Sequence, residues 1–362
     1  MRLPKELDEF IFGTLGAVYR PNYEKVRTTK NADEAVTKWY LGTYFPRSFV
    51  ESYSIISELL MLNTVKNALE KKDKIRILGI GSGTGGEIFG AIKALSECFK
   101  NTPKDFDIRV IDINSEALKI QKEILENIKL TPGNMGWMKE LLELKPETFF
   151  DQIKRKFDNK KYDFILIWKM VNEMLRVSCS YHHRGGTVFK QIISLGEHYL
   201  KNDSGLLIIS EITEPVSKNE NQSEEDDFLP KIINRYFIEQ IKKKTCGLRI
   251  IRPLSCAYWY SSCSVPSDCF QSRSFEVTHS GLKTFGRESD QTKISYRILG
   301  HSLFAENVLK ETPRKNSYSV LAKNKFNNSN FCMEGRFEFN KNPPHLPSFN
   351  AWTGDLMDDG RL

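Results

Sequence analysis

No apolar run in this chain approaches the ~20 residues that a membrane-spanning helix needs, so no membrane partner is expected. The first ten residues, Met-Arg-Leu-Pro-Lys-Glu-Leu-Asp-Glu-Phe, are too acidic and too broken for a signal or transit peptide. A cytoplasmic location is therefore expected. Seven cysteines, an odd number in a chain whose start does not read as a secretion signal, argue against a disulfide framework, and the lack of any Cys-x-x-Cys pair weighs against a metal site. Strong charge of one sign is also missing: the net charge is +7, which reads as a lysine-rich solvated surface or as moderate attraction to phosphate. At 362 residues, 40% apolar and 27% charged, the chain has the composition of a globular protein, either one large domain with additions or two.

What is present is organised around one stretch, Lys-Ile-Arg-Ile-Leu-Gly-Ile-Gly-Ser-Gly-Thr-Gly-Gly, at residues 74–86. Ile75, Ile77, Leu78 and Ile80 form the near-continuous apolar run of a strand buried on both faces of a parallel sheet. A dense glycine turn follows, in which Gly81, Gly83 and Gly85 permit positive φ and let a ligand approach the main chain. A helix over about 87–99 would then present free N–H groups to a polar or anionic ligand. Residues 107–113 read as the next strand. It ends in Asp112, an acid placed to accept hydrogen bonds from ribose hydroxyls, and a helix over 115–128 is capped by Asn114 or Ser115.

The Gly-Ser-Gly-Thr-Gly turn with an acid at the end of the following strand resembles the first motifs of class I S-adenosylmethionine-dependent methyltransferases. A dinucleotide-binding turn is the alternative. One position departs from the methyltransferase pattern: where that family has an acid just before the loop, this chain has Gly79. The resemblance implies S-adenosylmethionine as cofactor, held by Gly79, Gly81, Ser82, Gly83, Gly85, Asp112, Ile113 and Lys169.

Residues 1–72 keep helical spacing and are expected to form a helical cap, with the aromatic run Trp39-Tyr40-Leu41-Gly42-Thr43-Tyr44-Phe45-Pro46-Arg47 inside it. Those aromatics suit a core. Beside Arg47 they also suit base stacking with phosphate contact. No clean third strand is evident over 130–157, where an irregular or helical insertion is expected. Residues 161–168 read as a buried strand whose end carries Lys169, Asn172 and Glu173. Ligands sit beyond the carboxyl ends of parallel strands, so Asn172 and Glu173 become candidate catalytic residues. A polar helix start would explain them as well. A helix over 189–200 and a buried strand over 205–211 follow, and 217–227 reads as an acidic mobile loop. Residues 293–299 and 318–321 are expected to make a terminal hairpin.

The fold expected is thus α/β: a Rossmann-like class I methyltransferase sheet, mainly parallel with a terminal antiparallel hairpin, plus the N-terminal helical cap and a cysteine-containing insertion. The expected domains are the cap at 1–72, the methyltransferase domain at 73–323 with its insertion at 246–290, and an irregular tail at 324–362.

Within the insertion, Cys256, Cys263 and Cys269 fall in a stretch with neither helical nor strand period, and such a loop buries little core of its own. Thiolate ligation of a metal is one reading and chance clustering of small residues the other, with Cys246 and His279 as further possible ligands. The order of parts resembles the mitochondrial ribosome small-subunit assembly methyltransferase-like family, which also has bacterial members. The similar residues are 40–46, Cys269-Phe270-Gln271-Ser272-Arg273, and Lys293-Ile294-Ser295-Tyr296. The family's Cys-Pro-His and Cys-Pro pairs are absent here. The resemblance implies an iron–sulfur cluster or zinc on Cys256, Cys263, Cys269 and Cys332, and RNA or a ribosomal component as partner.

No Asn/Asp-Pro-Pro-Tyr/Phe motif follows the fourth strand, which disfavours methylation of an exocyclic base amine. Cys179 lacks the Pro-Cys context of a cytosine-C5 nucleophile. Three functions stay open: methyl transfer to RNA or a ribosome-associated protein, cofactor binding without turnover in a ribosome-assembly or RNA-binding factor, and small-molecule methylation.

Overall fold

The computed structural model describes residues 1–21, 32–176, 181–213, 240–241, 246–259, 273–311, 321–323 and 330–332. In chain order these form α1 (Lys5–Glu9), α2 (Glu34–Leu59), α3 (Asn63–Glu70), β1 (Lys74–Ile80), α4 (Gly86–Cys98), β2 (Asp105–Asp112) and α5 (Ser115–Asn127). Next come β3 (Met135–Leu141), α6 (Phe149–Lys156), β4 (Phe164–Trp168), α7 (Val171–Arg176), α8 (Tyr181–Tyr199), β5 (Leu206–Ile212) and β6 (Leu248–Arg252). The remainder is α9 (Leu254–Trp259), β7 (Arg273–Val277), β8 (Asp290–His301), α10 (Ser302–Lys310), β9 (Leu321–Lys323) and β10 (Asn330–Cys332). None of the described helices is long and apolar enough to cross a membrane.

The chain divides into two compact units. The first comprises Met1–Lys145, Lys160–Glu173 and Phe275–Thr292, and the second comprises Pro146–Asn159, Met174–Ser274 and Lys293–Leu362.

In the first unit the strands run β3-β2-β1-β4, all parallel, with β1 in the middle. Ile75, Ile77, Leu78 and Ile80 are all buried, as a central parallel strand requires. This 3-2-1-4 order is that of a Rossmann-like sheet, and the chain reverses its winding direction between β1 and β4, where such sheets bind their ligands. Asp33 caps α2 by accepting from the Val36 N–H at 2.8 Å, and Asn114 caps α5 by accepting from Glu116 and Ala117. Helix α2 lies against α4 so closely that a Cβ at Gly90 would stand 2.3 Å from the Phe49 carbonyl oxygen. Glycine there is what lets the two backbones meet.

In the second unit β8 lies antiparallel between β5 and β6, with Leu207 opposite Leu299 and Leu248 opposite His301. The Ser302 N–H and hydroxyl both donate to the Gly247 carbonyl, which fixes the start of α10 beside β6. Helices α6 and α8 are joined by the Phe150 N–H donating to Gln191 Oε1 at 3.0 Å.

The fold is a mixed α/β, Rossmann-like one with a helical N-terminal region, as expected, and three details differ. A third strand does exist, β3, within the stretch expected to be irregular. It occupies the sheet edge with most of its residues partly or fully exposed, so no apolar run announces it. The strand over 293–299 forms as part of β8, but its partners are β5 and β6 rather than 318–321. Leu321 instead begins β9, which pairs with β10, and that places a short strand inside the expected tail. Residues 217–227 lie outside the described residues.

Candidate functional site

The glycine turn between β1 and α4 takes the conformation its sequence demands: Gly81, Gly83 and Gly85 have φ of 63°, 50° and 84°. The turn is tied to the end of β2. The Gly81 and Ser82 N–H groups donate to the Ile111 carbonyl at 2.8 and 3.2 Å, and the Gly83 N–H donates to Asp112 Oδ2 at 2.7 Å. The other Asp112 oxygen accepts from the Asn114 N–H at 2.8 Å. Burial pushes the Asp112 carboxyl up, while the N–H groups of Asn114, Gly83 and Ile113 pull it back down. Asp112 therefore does something its position in the sequence did not suggest, holding the loop in place. From α5, Gln121 donates to Ser82 Oγ at 2.9 Å and to the Gly83 carbonyl at 2.6 Å.

The two ends of the loop differ. A Cβ at Gly81 would collide with Met170, which sits just beyond β4, whereas a Cβ at Gly83 would meet nothing within 4 Å. The backbone at Gly83 thus faces open space. Gly79 is within β1, where a Cβ would stand 2.7 Å from Ile88 Cδ1, so a larger residue there would require the Ile88 side chain to shift. Ile113 is partly exposed at the end of β2.

Beyond β4, Lys169 adopts φ 58°, in the left-handed region that non-glycine residues seldom enter. Its Nζ donates to Glu51 Oε1 at 2.9 Å and to Ser48 Oγ at 3.2 Å, both on α2. Glu51 also accepts from Trp168 Nε1 at 2.7 Å and from the Thr292 hydroxyl at 2.5 Å. Nearby, in the first turn of α4, the carboxyl of Glu87 is 3% exposed and feels Asp112, Lys169 and Glu51. Sequence reasoning missed Glu51 and Glu87 because acids on helices ordinarily face water. Asn172 is buried and Glu173 half-buried in the first turn of α7.

Elsewhere in the first unit, Arg47 holds Asp290 in a two-pronged ion pair, Nε to Oδ2 at 2.6 Å and Nη2 to Oδ1 at 3.0 Å. With Pro21, Arg287 and Gln291 this pair lines an open cavity of about 640 Å³. Arg47 also lies over the ring of the partly exposed Tyr44. His279 is stacked on Phe12 with its ring centroid 4.9 Å away. In the second unit Cys256 is buried in α9. Cys332 lies in β10 by its backbone, while Cys179, Cys263 and Cys269 lie outside the described residues. Among the described residues no group of three or more His, Cys, Asp and Glu side chains is placed to hold a metal ion.

No protein-family model and no curated protein sequence matches this chain. Solved structures do, at low identity. A SAM-dependent methyltransferase from Methanosarcina mazei is 13% identical, with 65% of this chain and 94% of that one covered and a TM-score of 0.33. The plantazolicin methyltransferase BpumL, solved in complex with SAH, is 15% identical over 82% of this chain and 94% of its own, with a TM-score of 0.37. A precorrin-6y C5,15-methyltransferase from Geobacter metallireducens is 12% identical over 69% and 86%, with a TM-score of 0.33.

Proposed function

We propose that the first unit binds S-adenosylmethionine and that the protein transfers its methyl group to RNA or to a ribosome-associated target. The observation that carries the cofactor reading is the turn itself: left-handed glycines pinned to the end of β2 by Asp112, with open space over Gly83. The residues fit the group. Asp112 keeps lone pairs after taking Gly83 and Asn114, and these suit ribose hydroxyls, while Ile113 offers an apolar edge for a base. The chemistry supplied there would be a methyl group on a positively charged sulfur. Lys169 orders the end of β4 through Glu51, and Asn172 and Glu173 at the start of α7 are assigned to orienting the acceptor and taking its proton.

The net charge of +7 favours a phosphate-bearing acceptor, which Arg47 and Arg287 of the cavity would meet beside the acids Glu288 and Asp290. Arg47 must then be shared with Asp290. Incubation with tritiated S-adenosylmethionine and either total RNA, ribosomal protein or small metabolites identifies the acceptor class. Label in RNA, with RNA affinity falling steeply as salt is raised, is expected. Label confined to protein or metabolites rejects the RNA reading. The internal bonds that occupy Lys169 and Trp168 favour a second reading, cofactor binding without turnover, which predicts tight binding and no label in any fraction.

Cys256, Cys263, Cys269 and Cys332 are proposed to ligate an iron–sulfur cluster or zinc, on the clustering of three cysteines within fourteen residues; the stretch expected to lack helical period nonetheless begins with α9, in which Cys256 is buried. Anaerobic purification with metal analysis should find near-stoichiometric iron or zinc. A colourless protein holding neither rejects the site.

A further inference from the structure

Glu87 has no part in the reading above, yet its place is costly. It follows the glycine turn directly in the first turn of α4, and its side chain is 3% exposed. Its Oε1 has no hydrogen-bond partner among the described residues. A buried acceptor without a donor loses the free energy that water would have given it, so a group of this kind commonly awaits a ligand, an ion or a water.

The charges that face it come from three other elements: Asp112 at the end of β2, Glu51 on α2 and Lys169 after β4. Lys169 is already bonded to Glu51. Three carboxyl groups thus gather near one ammonium, and that ammonium is taken by Glu51, which leaves the Glu87 oxygen without a donor among the described residues. All of these residues belong to the first unit.

We propose that the Glu87 carboxylate receives the α-ammonium of the amino-acid end of S-adenosylmethionine when that cofactor is held at the glycine turn. This rests on the cofactor reading of that turn. Of the two cationic groups on that molecule the ammonium is assigned because the orphaned oxygen lacks a donor, and a sulfonium has no N–H to give. Burial, with Asp112 adding to it and Lys169 opposing, pushes Glu87 up to about 8, so without ligand near pH 7 the carboxyl is mostly protonated. Forming the ion pair then releases that proton to the buffer, and the ligand ammonium keeps its own.

The experiment is titration calorimetry of the full chain with S-adenosylmethionine, S-adenosylhomocysteine and 5′-methylthioadenosine, in two buffers of different ionisation enthalpy at pH 7. The first two ligands carry the ammonium and the third does not. Glu87→Gln should weaken both by roughly ten- to a hundredfold, the range of one charge-assisted hydrogen bond, and leave methylthioadenosine within about twofold. The unaltered protein should release close to one proton per molecule of either ammonium ligand and none with methylthioadenosine. This count does not depend on how the variant folds. Equal affinity of variant and parent, an equal loss for all three ligands, or no proton released by the parent overturns the role of Glu87 while leaving the cofactor reading intact. If the parent binds none of the three, both fall.

Discussion

His279 shows how much a single residue can depend on its surroundings. Its ring lies flat on Phe12 and edge-on to Tyr19, and neither nitrogen has a hydrogen-bond partner among the described residues. Burial pulls it down to about 4, helped by Arg47 and opposed by Asp290 and Asp8. An unfolded histidine takes its proton near pH 6.5, so between about 6.5 and 4 the unfolded chain holds the extra proton and stability falls as the pH drops. The loss approaches about 3 kcal/mol once both forms are protonated. His279→Phe, which keeps the stack, should flatten this slope in urea unfolding curves recorded from pH 7 to 4. An unchanged slope would place the acid sensitivity elsewhere. Nothing in Val-Thr-His-Ser-Gly marks this histidine as packed rather than ligating, because the rings that enclose it come from residues some 260 positions away.

At the scale of elements, legibility followed exposure. Strand β1 announces itself by its buried run Ile77-Leu78-Gly79-Ile80 and β2 by the buried Phe106, Ile108, Val110 and Ile111, whereas β3 at the edge has no buried residue and carries no such run. The turn was legible because positive φ demands glycine. The acids around it were not, since Glu51 and Glu87 are buried by helix packing that local spacing does not encode. Helix α2 is the clearest case: its spacing shows a helix, yet not that one face sends Ser48 and Glu51 to the end of β4 while Arg47 reaches Asp290. The Arg47–Asp290 pair is largely buried, with side chains 17% and 3% exposed. Arg47→Ala leaves a buried carboxylate unpaired and should cost about 3–5 kcal/mol, read from denaturant midpoints. Arg47→Met combined with Asp290→Leu should recover much of that. If the single variant unfolds at the parent midpoint, the pair is not what anchors α2.

For the whole molecule, the residues assigned to the cofactor and to catalysis all fall in the first unit, while Cys256 and Cys332 fall in the second. The central claim, that the first unit is an S-adenosylmethionine site, depends on one linkage, the end of β2 holding the glycine turn through Asp112. Its most direct test is calorimetric titration of the full chain and of Asp112→Ala with S-adenosylmethionine and with NAD. The account predicts one molecule of S-adenosylmethionine per chain, no comparable binding of NAD, and a loss of about 1–3 kcal/mol in the variant. Preference for NAD, or a variant that binds S-adenosylmethionine as tightly as its parent, would contradict it.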